Sequence, residues 1–265
     1  MPSLDDRGPV QFTKMLLIGD SGTGKTGALA SLASAGYKLR IIDLDNGLSV
    51  LYSALKAKDP AALSRVEYIS IRDARVASSL GITISGVPKA FPSVCKMLTN
   101  WHPASIGQTG TILGKPSEFG EDTILVIDSL TYLGDAAWDW AKALNPSAKD
   151  DRQIYGIAQD AISNVLHLLT GADMHTNVIV IAHVNWIERP DGTTRGYPTA
   201  IGKALSTKIS TFFNITALTE SSGSPPRRTI RTASTALVDL KSPVLMSPQL
   251  PQETGLAEFF TKLKD

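Results

Sequence analysis

Residues 16 to 36, LLIGDSGTGKTGALASLASAG, constrain this chain more than any other stretch. An apolar run passes through a glycine-rich turn into an Ala/Leu-rich segment that stops at Gly36, the pattern of a strand, a tight turn and a helix. Within it, GDSGTGKT matches G-x-x-x-x-G-K-[ST] in full and has the strand and helix flanks that such a phosphate-binding loop requires. Gly19, Asp20, Ser21, Gly22, Thr23, Gly24, Lys25, Thr26 and Gly27 are therefore the expected cradle, with backbone N–H groups and a helix N-terminus turned towards phosphate oxygens. Lys25 is expected at the β- and γ-phosphates and the Thr26 hydroxyl on Mg2+, so the expected ligands are ATP and Mg2+.

The same strand-and-helix alternation continues down the chain. Short runs rich in Ile, Val and Leu recur at 15–19, 39–45, 66–71, 123–129 and 178–184, as expected of strands covered on both faces of a mainly parallel sheet. Helical patterns follow Gly24, cover about 47–58, and lie within 90–101 and 129–144. The clearest spans 153–170, where Ile154, Ala158, Ala161, Ile162, Val165 and Leu169 recur at helical steps. The fold class expected is α/β. Two stretches, 102–122 and 185–200, are rich in Gly and Pro and read as long loops, while 214–220, 227–235 and 236–241 read as antiparallel edge strands. The chain divides into a core over 1–241 and a Pro-rich tail with a short helix over 242–265.

Composition narrows the classes further. With 43% hydrophobic and 19% charged residues and a formal net charge of +1, the chain lacks the global basicity of a histone-like nucleic-acid binder, so nucleic acid would have to be held by local loops. A single cysteine, Cys95, excludes an internal disulfide and reads as a small buried residue. No apolar run approaches the roughly 20 residues of a membrane span, and residues 1–10 lack the apolar segment of a secretion signal, so no membrane partner and a cytoplasmic location are expected.

A triphosphate site needs an acidic group near the metal, at the end of a neighbouring buried strand. Asp128, closing TILVID, is placed for that, reaching Mg2+ through water, and also suits the cap of the helix that follows. Asp43 and Asp45 end the next run after the phosphate loop, and either suits the base that orients the attacking water. His183 and Asn185 end VIVIAHVN, where polar side chains line the crevice of an open α/β sheet.

Taken in order, these segments resemble the RecA-like recombinase core. GDSGTGKT resembles its Walker A, IIDLDNGL the segment ending in an acidic catalytic residue, and ILVIDSLTYL its Walker B. VIVIAHVNW resembles the strand whose terminal polar residue couples the γ-phosphate to a DNA-binding loop, and TAIGKALSTKISTFFNITAL the helix and strand after it. The resemblance covers roughly residues 12–240 and implies Asp45 as the catalytic acid, Asp128 as the Mg2+-associated Asp and His183 as the γ-phosphate sensor. Asp45 in place of Glu and His183 in place of Gln are departures. The short core and the terminal His look most like the phage RecA-like annealing ATPases of the Sak group. That likeness implies a DNA-stimulated, Mg2+-dependent ATPase of low turnover, acting in single-strand annealing or strand exchange in a host cytoplasm, beside a single-strand-binding protein.

The resemblance also implies where single-stranded DNA would bind. One loop is 185–200 with Trp186, Arg189, Arg195 and Tyr197, followed by Lys203, and another lies near 145–155 with Lys149, Arg152 and Tyr155. Cations for phosphates and aromatic faces for bases are the mixture such binding uses. It further implies a homo-oligomer, ring or filament, with the ATP site between copies and Arg231 or Arg228 approaching the neighbour's γ-phosphate. Charge protecting an edge strand explains those arginines equally well. The competing functions are an ATPase of the same fold acting on a protein, a small-molecule kinase, and a nucleotide-dependent binding module with negligible turnover.

Overall fold

The computed structural model describes residues 12–79, 81–148, 150–189 and 191–264. Its elements run in chain order as β1 Lys14–Gly19, α1 Lys25–Ala28, α2 Ala30–Ser34, β2 Lys38–Asp43, α3 Leu48–Lys58, β3 Val66–Ser70, β4 Arg75–Ser78 and β5 Gly81–Ile84. They continue with α4 Ala90–Thr99, β6 Gly120–Asp128, α5 Leu130–Leu144, α6 Asp151–Thr170, β7 Thr176–Glu188 and β8 Thr194–Pro198. The last are α7 Lys203–Ser206, α8 Ile209–Phe212, β9 Ile215–Ser222, β10 Arg227–Arg231, β11 Gln249–Pro251 and α9 Gly255–Lys264.

The main sheet has the order β11-β10-β9-β1-β7-β6-β2-β3, with β8 paired to the outer half of β7. Pairings from β9 across to β3 are parallel, and β10 and β11 add an antiparallel edge. The fold is α/β as expected: a mainly parallel sheet flanked by helices, with antiparallel edge strands near the C-terminus. Successive strand residues point to opposite faces, so each apolar run feeds two cores. Leu16, Ile18, Leu125, Ile127, Val178 and Val180 pack under α4, α5 and α6. Met15, Leu17, Ile124, Val126, Ile179 and Ile181 pack with Leu32, Leu51, Leu55, Phe259 and Phe260, from α2, α3 and α9. The helix pattern over 153–170 is realised as α6, whose buried side chains include Ile154, Ala158, Ile162, Val165 and Leu169. Cys95 is half-buried and burial pushes its thiol pKa up, as a small packed residue requires.

Three expectations need correction, and one element was not expected at all. The stretch 185–200 is chiefly a β-hairpin: β7 continues past the sheet to Glu188 and pairs antiparallel with β8. Asp191 accepts from the backbone and hydroxyl of Thr193, and Gly192 takes φ 78°, which closes a tight turn where composition suggested a loop. Residues 214–220 do form a strand, β9, but it is parallel to β1 and antiparallel only to β10. Residues 236–241 form no strand and make a single bridge, Lys241 to Thr216. There the Thr235 and Ser234 hydroxyls take the N–H groups of Val238 and Leu240, side-chain partners that replace a ladder. Finally, Arg75–Ser78 and Gly81–Ile84 form a separate exposed hairpin that no sequence pattern had indicated.

The region 102–119 is irregular as expected, broken by 3-10 turns at Pro103–Ile106 and Pro116–Glu118, whereas 120–122, read as part of that loop, already belong to β6. After 241, β11 joins the edge of the sheet and α9 buries Leu256, Phe259, Phe260 and Leu263 against it. Among the described residues no helix is long and apolar enough to cross a membrane. Residues 1–10, read above for a secretion signal, lie outside the described residues.

Candidate functional site

The sheet order explains why distant residues meet. β7 lies between β1 and β6, and Gly19, Asp128 and Asp43 close their strands beside His183, where β7 leaves the parallel sheet. An open α/β sheet binds its ligands at that edge. A cleft there is bordered by Ser21, Gly22, Gly24, Lys25, Thr26 and Gly27, and faced by Asp45, Gly47, His183 and Arg228.

The loop itself is held in a receiving shape. Gly24 takes φ 94°, a conformation that any side chain would strain, immediately before Lys25 opens α1. A Cβ on Gly19 would stand 2.1 Å from Thr219 Oγ1, so β9 packs directly against the start of the loop. The Thr219 hydroxyl also lies 2.7 Å from that of Thr23. Lys25 Nζ donates to the carbonyls of Gly19 and Asp20 at 2.9 and 2.8 Å. Its pKa is lowered by burial, an effect opposed by Asp128, Asp45 and Asp20.

Asp128 and Thr26 form the metal-facing pair. The Thr26 hydroxyl donates to Asp128 Oδ2 at 2.7 Å. Asp128 is completely buried, and its other oxygen, Oδ1, has no partner among the described residues. Burial lifts its carboxyl to about 6; the Thr26 hydrogen bond opposes this, while Asp45 and Asp43 add to it. A buried carboxylate with an idle oxygen has a place for a cation or an ordered water. Among the described residues no group of three or more His, Cys, Asp or Glu could hold a metal alone. Mg2+ needs no such cage when phosphates and waters complete its shell. Thr26 and Asp128 thus fit Mg2+, and the glycine cradle fits the polyphosphate.

The two acids left open by the sequence have different surroundings. Asp43 is 2% exposed and committed, accepting from the Asn46 backbone at 2.8 Å and the Ser70 hydroxyl at 2.9 Å. Asp45 lies beyond the end of β2 with its Oδ2 3.7 Å from His183 Nε2. The imidazole pKa of His183 is lowered, first by burial and then by Lys25, against the pull of Asp45 and Asp20. The backbone N–H of His183 donates to Thr131 Oγ1, which in turn donates to the Thr199 carbonyl.

The remaining expected residues are placed less uniformly. Trp186, on the hairpin, donates its indole N–H to Asp20 Oδ1 of the phosphate loop at 3.1 Å. Gly196, its partner in the hairpin, has no room for a side chain because a Cβ would meet the Trp186 ring at 2.9 Å. Arg189 donates to the Tyr197 hydroxyl at 2.9 Å, and Arg195 is paired with Asp239. Lys203 opens α7, away from the cleft's lining. Arg152 is exposed in the first turn of α6, Tyr155 stacks on Trp138, and Lys149 lies outside the described residues. Arg231 is held by Glu220 of its own chain at 2.9 Å. Four contacts to the phosphate loop were missed by sequence reasoning, from Trp186, Thr219, Arg228 and Gln252. They join residues 166, 196, 206 and 228 positions apart, a separation that no local pattern encodes.

The sequence profile of the AAA_24 family, described as an AAA domain, matches residues 11–244. The chain belongs to the AAA_24 family. As a member of that family the chain is a P-loop ATPase, a nucleotide-binding protein. No curated protein matches it in sequence. Among solved structures it is similar to the flagellar accessory protein FlaH from Methanocaldococcus jannaschii, at 12% identity and TM-score 0.41, covering 91% of this chain and 85% of that one. It is also similar to an ATPase from the type III secretion system of pathogenic bacteria, at 14% identity and TM-score 0.46, covering 79% of this chain and 52% of that one. EscN from enteropathogenic E. coli, solved with its central stalk EscO, gives 14% identity, TM-score 0.43, and coverage of 79% and 42%. The chain thus spans about half the length of the two secretion ATPases.

Proposed function

We propose that this AAA_24 ATPase hydrolyses ATP with Mg2+ and couples that cycle to single-stranded DNA held on the β7–β8 hairpin, promoting annealing or strand exchange as a homo-oligomer. The observation that carries this reading is the Trp186 indole on Asp20. It joins the hairpin to the phosphate loop through one hydrogen bond, while His183, three residues earlier on the same strand, faces Asp45. Lys25 and the loop N–H groups grip the polyphosphate, and Asp45 orients the attacking water. His183 reports the γ-phosphate to the hairpin, and Arg189, Arg195, Tyr197 and Lys203 meet the strand. Thr26 and, through water, Asp128 would hold Mg2+, which would supply neutralisation of the phosphate charge.

A second reading, an ATPase acting on a protein partner, is favoured by one observation. Arg195 is already paired with Asp239, and Arg189, although still charged, has turned a donor to the Tyr197 hydroxyl, which leaves less of the hairpin's cationic surface open to phosphate. Turnover measured with and without unstructured single-stranded DNA separates the two. The DNA reading expects stimulation of hydrolysis and filter binding that weakens steeply with salt. Hydrolysis indifferent to DNA, with no binding at low salt, rejects it in favour of the protein partner.

A further inference from the structure

Arg228 and Arg231 were equivalent candidates for a cation reaching into a neighbouring copy's site. The fold separates them. Arg231 is neutralised by Glu220, through Nε and a terminal nitrogen each 2.9 Å from the carboxylate. Arg228 turns to the phosphate loop of its own chain, where its Nε donates to the Gly22 carbonyl at 3.3 Å. It borders the same cleft as Lys25, Thr26 and His183.

Gln252, just after β11, works beside it. Its backbone N–H donates to the Arg228 carbonyl at 3.2 Å, and its side-chain amide donates to the Gly24 carbonyl at 2.8 Å. The following residue, Glu253, is paired with Lys58 at the end of α3, and α9 then buries Phe259 and Phe260. Both donors close on glycine: a Cβ at Gly24 would lie 2.7 Å from Arg228 Cδ and 2.8 Å from Gln252 Nε2. In a trans peptide the carbonyl and the next residue's N–H point in opposite directions. The Gly24 carbonyl also accepts the Ala28 N–H of α1 at 2.9 Å, so the Gln252 donor reinforces the helix in keeping the Lys25 N–H turned to the opposite side, where phosphate is received.

We propose that Arg228 and Gln252 are positioning residues that act within one chain, holding the phosphate loop by its outward carbonyls, and that Arg228 does not serve the neighbour's site. The proposal rests on the ATPase reading and is independent of the ligand of the hairpin.

Full-length Arg228→Ala and Gln252→Ala, with Gln252→Met to delete the donor at similar size and no added charge, are compared in steady-state hydrolysis and in binding of a fluorescent ATP analogue. One lost hydrogen bond predicts roughly threefold weaker nucleotide binding for the Gln252 variants and roughly tenfold for Arg228→Ala. The loss should appear in KM more than in kcat, with partial rescue by Arg228→Lys and unchanged melting without nucleotide. A fall in kcat alone at unaltered analogue binding overturns the proposal. The decisive arm mixes Arg228→Ala with Lys25→Ala protein. An arginine acting within its own chain gives only the summed activities of the two variants. Recovery above that sum means that an intact Arg228 has reached a neighbour's intact phosphate loop, and it overturns the proposal. Absence of wild-type turnover would instead reject the ATPase reading, while the analogue arm would still test the clamp.

Discussion

Asp128 gives the site its pH signature. Its carboxyl is raised by burial to about 6, above the ordinary 3.8. The stability it contributes is fully present below about pH 4 and lost as pH rises through about 6. Two units correspond to about 3 kcal/mol. Melting curves of nucleotide-free wild type and Asp128→Asn should therefore coincide near pH 3 and diverge by pH 7.5, with the Asn variant the more stable and no longer stabilised by Mg2+ and ATP. His183 is the second residue with a defined expectation. With its pKa lowered by burial and Lys25, it is neutral at pH 7.5 and acts as a hydrogen-bonding group rather than a charge. His183→Gln should keep basal turnover and its response to the hairpin ligand, whereas His183→Ala should keep the first and lose the second in a stimulated-hydrolysis assay. Asp128 and His183 were legible because each closes an apolar run, and Thr26 because it closes the G-x-x-x-x-G-K-[ST] pattern. The choice between Asp43 and Asp45 was not. Strand alternation stops at Asp43, and the chain then turns through Asn46 at φ 63°, so the facing of Asp45 is set by a turn that no periodicity describes.

At the scale of elements, the hairpin depends on a glycine. Gly196 lies opposite Trp186, and an added Cβ would stand 2.9 Å from the ring, from Val184 and from Val238. Gly196→Val should displace the hairpin at a cost of about 1–3 kcal/mol, with basal hydrolysis retained and stimulation lost in the same assay. The buried strands could be read from sequence because both faces need apolar residues. The hairpin could not, since an arm outside the core needs only its backbone ladder and a turn, and tolerates the polar residues that suggested a loop. Strand direction was likewise hidden: NITALTE has the same composition whether it pairs parallel with β1 or antiparallel with β10.

On the scale of the whole molecule, the final segment closes the second core. Phe260 is 2% exposed and packs edge-on to Tyr37 at 5.5 Å. Phe260→Ala should cost about 3–5 kcal/mol, a large share of the roughly 5–15 kcal/mol available to a domain, and should weaken nucleotide binding as well as lower the melting temperature. The second effect arises because the β11–α9 segment carries Gln252. The tail's short helix was visible in its sequence, but its docking was not, because Phe259 and Phe260 bury against strands more than a hundred residues earlier in the chain.

The indole of Trp186 has a practical consequence. The other three tryptophans sit in settled surroundings: Trp101 is buried, Trp138 stacks on Tyr155 and Trp140 packs on Phe91. Trp186 alone is 42% exposed and hydrogen-bonded to a carboxylate of the phosphate loop. A change in that loop alters the polarity around one fluorophore and leaves three as a steady background, so the chain carries its own optical gauge of what its nucleotide loop is doing.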